Sequence, residues 1–374
     1  MRIVINAFAA RIGGGQTYLR NLLARLPDDP DFAALVYAPE GLDLPHDPRI
    51  ERGRTQIPVT NPLTRLLWER FVLPRELRRF GAELLFCPGG LVNTVPPRGC
   101  GTATMFRNML PFDEKALAQL PPGMQKWRNR ILRGQMLRSM KNADLTIFIS
   151  DFARDVIEEH ISPPRAKTIP HGINEAFLTA ARDLPRPAAS GSQPYILYVS
   201  RFEAYKHHFE VTQAYAALPE LLRASHRLLL VGETNYEPAE KLRHFIAENG
   251  LEDRIELVGK VPYEDLPAWY RNAAAIVFAS SCENCPNILL ESLGAGRPVI
   301  ASDVAPMPEF GGVDLAYFSP YDPGEIAREL ERVLADSDHA QTLARAAARR
   351  AGRYDWNETA AATWSALDGI AVTT

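Results

Sequence analysis

The chain has 374 residues, of which 46% are hydrophobic and 23% charged, with a net charge of -3. That length suits two domains of ordinary size, and the near balance of charge offers no field to gather nucleic acid, so a nucleic-acid partner is excluded. No apolar run approaches the roughly eighteen residues of a membrane helix, and residues 1–6 open as a strand without a cleavable segment, so a cytoplasmic protein is expected.

Residues 2–6 read as a buried strand, followed by Gly13, Gly14, Gly15, Gln16 and Thr17 ahead of a helical stretch at 18–26. This glycine-rich loop lacks the G-x-G-x-x-G spacing of a dinucleotide site, and a plain tight turn explains it equally well. Strands follow at 33–37, 84–87 and 103–106. Two stretches, 63–80 and 125–140, are helical and basic. Leu66, Leu67, Phe71 and Leu77 are interleaved with Arg65, Arg70, Arg75, Arg78 and Arg79, and Trp127, Ile131, Leu132 and Leu137 with Arg128, Arg130, Arg133 and Arg138. Pro74 is expected to kink or interrupt the first. The first expectation is that each packs its apolar stripe on the sheet with its arginines in water; the second is peripheral contact with an anionic inner membrane. A strand at 144–150 precedes Asp151, which is placed to cap a helix at 152–160. Residues 184–194, rich in Pro, Ala and Ser, read as a linker, and the domain boundary is expected within 175–193.

The second half opens with a strand at 195–200 and then Arg201 and Lys206, two cations on the loop at its carboxyl end, where open α/β sheets bind ligands. The adjoining His207 and His208 receive no role. Strands at 227–231 and 255–261 and a helix at 263–271 precede the apolar run 275–279, which feeds the loop Glu283-Asn284-Cys285-Pro286-Asn287-Ile288. A helix at 287–293 carries Glu291 about two turns in and is stopped by Gly294 and Gly296 before a strand at 298–301. Glu283 and Glu291 can then face one cleft, beside backbone amides of 284–287 at a helix N-terminus that favours an anion. Cys282 and Cys285 form a C-x2-C pair, but Cys87 and Cys100 are spaced differently and all four fall at strand ends or loops. Reduced thiols are the better reading, and no metal site is expected.

The motif ENCPNILLE, followed by SLGAGRPVIAS, resembles the Glu-x7-Glu signature of retaining glycosyltransferase family 4. The resemblance covers nearly the whole chain. It implies a GT-B fold: two Rossmann-like α/β domains facing across a cleft, with residues 1–175 and a C-terminal crossing helix at 355–374 offering the acceptor, and residues 176–354 binding the nucleotide sugar. By resemblance Arg201 and Lys206 hold the donor diphosphate, Glu283 contacts the donor sugar, and Glu291 takes the ribose hydroxyls. Gly14, Gly15, Gly232, Lys260, Val261, Asn284, Cys285, Pro286, Asn287 and Ile288 are expected around the donor. Gln16, Arg107, Asn108 and Asp113 are acceptor-side candidates, with Arg107 standing where many relatives carry a histidine. Residues 166–174 resemble the segment before the hinge, in which His171 on its own reads as a packed histidine. The implied activity is sugar transfer from a nucleoside-diphosphate sugar to a glycan or lipid-linked glycan in bacterial surface polysaccharide assembly, without metal or other cofactor. A nucleotide-sugar epimerase and a non-catalytic partner subunit remain as alternatives.

Overall fold

The computed structural model describes residues 1–11, 13–120, 123–234 and 237–371. One sheet is built from β1 (Arg2–Asn6), β2 (Ala33–Tyr37), β3 (Ile50–Arg52), β4 (Leu84–Cys87), β5 (Gly101–Phe106), β6 (Leu145–Phe148) and β7 (Ala166–Thr168), in the order β3-β2-β1-β4-β5-β6-β7. The other contains β8 (Tyr195–Val199), β9 (Arg227–Val231), β10 (Ile255–Gly259), β11 (Ala275–Phe278), β12 (Val299–Ser302) and β13 (Ala316–Phe318), in the order β10-β9-β8-β11-β12-β13. All these pairings are parallel. Parallel sheets are covered on both faces, which is why their strands are continuous apolar runs: Ile3 to Ile5, Leu84 to Phe86 and Ile196 to Tyr198 have no exposed surface. Strand order reverses between β1 and β4 in the first sheet and between β8 and β11 in the second. Loops leaving two such neighbours diverge, and a crevice opens at their carboxyl ends.

Contacts divide the chain into one unit of Met1–Phe112, Gly123–Gly172 and Trp356–Thr374, and another of Asp113–Pro122 and Ile173–Asp355. The division falls slightly earlier than residue 175, because Ile173 N donates to Tyr354 O at 2.9 Å and Ile173 bridges Asp355. A larger difference concerns Asp113–Pro122, expected in the first half but grouped with the second; its helix Glu114–Gln119 packs on the 3-10 turn Ala204–Lys206. The helix Trp356–Ala371 belongs to the first unit, where Trp364 Nε1 donates to Arg25 O at 2.7 Å and Thr359 Oγ1 to Pro170 O at 2.9 Å. His171 is buried there between the rings of Tyr18 and Trp356, with centroids at 5.3 and 5.5 Å.

Several local expectations change. The first helix is Gly14–Leu23, four residues earlier than read, because Gly13 takes the preceding position at φ 60, a conformation open to glycine. Ser150, not Asp151, caps the helix Asp151–Glu158 by accepting from Ala153 N. The basic stretch 62–80 runs through Pro74: α-helix Pro62–Leu67, a π turn Trp68–Val72 and α-helix Leu73–Phe80. Pro74 lies in the first turn of the last segment, where a missing N–H costs little.

The packing of that stretch also differs from the first expectation. Trp68, Leu73 and Leu77 join the core of Val4, Leu35, Tyr37 and Leu85, while Leu63, Leu66, Leu67 and Phe71 stay exposed. The helix Met124–Asn142 buries Asn129, Met136, Ser139 and Met140 and leaves Trp127 65% exposed and Ile131 42% exposed. In the first, only Leu77 of the apolar stripe read from sequence reaches the core; in the second, Leu132 and Leu137 are half-buried while Trp127 and Ile131 stay exposed.

Candidate active site

The first sheet's reversal point holds a cavity of about 230 Å³ lined by Ala7, Ala9, Ala10 and Gly15 after β1, Pro88 and Gly89 after β4, and Arg107 and Asn108 after β5. A Cβ on Gly15 would lie 3.4 Å from an Arg107 nitrogen, so glycine keeps this wall open. The Arg107 guanidinium lies 5.6 Å from the centre of the Tyr18 ring. Thus Gly15, expected around the donor, lies beside the acceptor-side candidates Arg107 and Asn108, whereas Gln16 turns back to donate to Arg11 O at 2.7 Å. Asp113 is elsewhere: it caps the helix Glu114–Gln119, accepting from Ala116 N at 2.8 Å, and accepts a hydrogen bond from the buried Cys282 thiol. Burial, with Asp113 and Glu283 nearby, pushes the Cys282 pKa up and keeps it a thiol.

The second sheet's reversal point brings the loop after β8 against the loop after β11. After β8 the chain passes Arg201, enters the turn Ala204–Lys206, and presents the Lys206 ammonium; after β11 it reaches Glu283. Lys206 Nζ donates to Glu283 Oε1, and the pair is largely screened from solvent, with side-chain exposures of 9% and 16%. Lys206 Nζ also lies 5.2 and 5.9 Å from the ring centres of Tyr205 and Phe278. The turn is tied down by Tyr198, whose hydroxyl donates to Lys206 O, and by Ser281, whose N–H donates to Tyr205 O at 2.9 Å. Arg201 is more exposed and pairs with Glu203 at 3.2 Å. Beside it, the tip of β9 comes so close that a Cβ on Gly232 would fall 1.8 Å from Ser200 O, so only glycine fits. Gly232 N donates to Gly259 O at 2.9 Å, joining the tips of β9 and β10 just before the exposed Lys260 and the half-buried Val261.

Of the expected row of amides at 284–287, Pro286 has no N–H and Asn287 N donates to Cys285 O at 2.9 Å, so the row is not available as such to an anion. Ile288 is half-buried and Asn284 and Cys285 are buried. Glu291 is the fifth residue of the helix Asn287–Gly294, little more than one turn in, not two. Its Oε1 accepts from Tyr263 Oη at 3.0 Å. Burial raises its pKa to about 7, an effect the hydroxyls of Tyr263 and Tyr270 partly oppose.

Two family models match the chain: Glycosyltransferase Family 4 over residues 12–177 and Glycosyl transferases group 1 over residues 181–350. The chain belongs to this glycosyltransferase family. It is similar to the O-antigen chain mannosyltransferase B of Escherichia coli, 26% identical over 260 residues that cover 67% of each protein. The match spans 52% of a second relative's length and 28% of a third's. Among solved structures it resembles sucrose-phosphate synthase from Thermosynechococcus elongatus (TM-score 0.77, 19% identity, 100% of both chains). It also resembles Anabaena HepE in complex with UDP and glucose (TM-score 0.71, 19% identity, 98% of this chain and 100% of that one). These structures share the GT-B architecture.

Several residues of this glycosyltransferase that shape the site went unread in the sequence. Tyr270 lies in the helix Leu266–Arg271 and Tyr263 three residues ahead of it, a shorter helix than the 263–271 read from sequence, and nothing local pairs either with Glu291. His208 is a core residue, stacked on Tyr198 and Phe202 at 4.6 and 4.1 Å, with burial lowering its pKa to about 3. Among the described residues no group of three His, Cys, Asp or Glu is placed to hold a metal, and no helix is long and apolar enough to cross a membrane.

Proposed function

We propose that this glycosyltransferase moves a sugar, with retention of anomeric configuration, from a nucleoside-diphosphate sugar to a hydroxyl of a glycan or lipid-linked glycan in bacterial surface polysaccharide assembly. The observation that carries the reading is the shielded Lys206–Glu283 pair at the switch point of the second sheet, with Arg201 on the same loop after β8. Negative charge grows on the diphosphate as the sugar departs, and fixed cations in a poorly hydrated place offset it. Lys206 and Arg201 supply those cations, so no metal is needed for this step. Glu283, tied to Lys206, orients the sugar, and Glu291 accepts the ribose hydroxyls. The departing phosphate takes the acceptor's proton. The mannosyltransferase relative supports a polysaccharide acceptor.

We further assign the enzyme to the cytoplasmic face of the inner membrane. The helix Met124–Asn142 holds Lys126, Arg128, Arg130, Arg133, Arg138 and Lys141 and no acidic residue, and it exposes Met124, Trp127 and Ile131. Such a face suits an anionic lipid surface, each basic residue adding about 1 kcal/mol. Transfer and hydrolysis assays with UDP-, GDP-, ADP- and dTDP-sugars test the activity. Donor hydrolysis or acceptor-dependent transfer is expected with at least one. Conversion of a donor to its epimer without an acceptor would establish the epimerase, and no turnover or binding would establish a non-catalytic subunit.

A further inference from the structure

Among the described residues, His207 is the one non-glycine with positive φ, at 53°, in the residue directly after Lys206. A side chain with a Cβ is strained there, and such strain persists where the surroundings over-determine it. The surroundings of this ring are specific. It is buried, Nε2 lies 2.8 Å from Ser281 Oγ, Nδ1 lies 3.5 Å from Glu210 Oε1, and Tyr321 meets it edge-on at 4.9 Å. Nε2 and the Ser281 hydroxyl thus share a hydrogen bond, and the same hydroxyl lies 3.3 Å from Tyr205 O. Ser281 is two residues before Glu283, and its N–H is already held by Tyr205 O.

We propose that His207 is a positioning residue: its imidazole, bonded to Ser281, locks the turn bearing Lys206 to the loop bearing Glu283, so that the ammonium is presented in one fixed place to the diphosphate of the sugar donor. This rests on the reading of Lys206 as the phosphate-binding cation. The left-handed backbone at residue 207 is then retained because it aims the ring at Ser281. A residue that served the turn alone would be better as glycine, which adopts the same φ without strain.

The test compares wild type with His207→Gly, Ser281→Ala, the double variant and Lys206→Ala in the full chain. Whichever of UDP, GDP, ADP and dTDP binds wild type most tightly is titrated beside its own nucleoside, and the ratio of the two Kd values isolates the diphosphate. His207→Gly relieves the φ strain, so its Tm is expected at or near that of wild type, which separates positioning from folding. Its diphosphate ratio is expected to fall by roughly tenfold, the order expected when one charge-assisted hydrogen bond loses alignment, with nucleoside affinity unchanged. Ser281→Ala, which also removes the contact of Oγ with Tyr205 O, should fall at least as far, and the double variant no further than Ser281→Ala. A His207→Gly protein with the wild-type ratio, while Lys206→Ala has lost it, overturns the role of His207 alone. If Lys206→Ala keeps the full ratio, or no nucleotide binds wild type, the reading of the phosphate site itself fails.

Discussion

Glu291 offers a pH test of the nucleotide site. Its folded-state pKa is about 7 against an ordinary 4.5, because burial disfavours the charged form. If the ribose hydroxyls donate to the ionised carboxylate, only that form binds well, and the apparent Kd rises by a factor of 1 + 10^(pKa − pH). At pH 6 this factor is roughly tenfold, or about 1.4 kcal/mol, and at pH 8 it is close to one. Titration calorimetry of the tightest-binding nucleoside diphosphate from pH 5.5 to 8.5 should show affinity falling below about pH 7. The 2′,3′-dideoxy analogue and Glu291→Gln should both lose this component and keep only the slope of the diphosphate's own ionisation near about pH 6. The same shift has the opposite sign for the free protein. A raised carboxyl pKa means the native state holds the proton more tightly, so this contribution to stability is fully present below 4.5 and is lost as pH rises through about 7. Glu291→Gln should therefore remove part of the decline in Tm across that window. An equal slope for the ribonucleotide and its dideoxy analogue would refute the assignment of Glu291 to the ribose.

The two cations should separate by stability. Arg201→Ala and Lys206→Ala are each expected to lower turnover by at least about a hundredfold, but Arg201 is half-exposed and its loss should leave Tm nearly unchanged. Lys206→Ala strands a shielded Glu283 carboxylate and should also lower stability by about 3 kcal/mol, read by denaturant unfolding; an unchanged midpoint would contradict the burial of the pair. Gly232→Ala puts a Cβ within 1.8 Å of Ser200 O and should unfold the β8–β9 tip or displace Arg201, so wild-type stability with wild-type nucleotide affinity would count against the close approach. Trp127→Glu combined with Ile131→Glu should abolish cosedimentation with phosphatidylglycerol vesicles at low salt, and wild type should detach as salt rises above about 0.15 M; no binding by wild type at low salt would remove the membrane assignment.

What the sequence determined is what short-range chemistry can specify. Continuous apolar runs such as Ile3 to Ile5 and Tyr195 to Val199 can be satisfied only inside a covered parallel sheet, and their alternation with helical stretches sets two doubly wound sheets. Loops at strand ends are polar because their backbone must be solvated or bonded, so Arg201, Lys206 and Glu283 were legible as loop residues from spacing alone. Tertiary structure decided what met what. That β8 and β11 lie side by side at the reversal, bringing Lys206 onto Glu283 across an interval of 77 residues, follows from strand order, which no local pattern encodes. The same holds for Asp113, which leaves its sequence neighbours Arg107 and Asn108 for Cys282, and for the basic helices, where within one π turn Trp68 faces the core and Phe71 is exposed. His207 shows the limit most plainly: its identity suggests nothing, and its meaning lies in a left-handed backbone and a serine 74 residues away, both of which exist only in the folded chain.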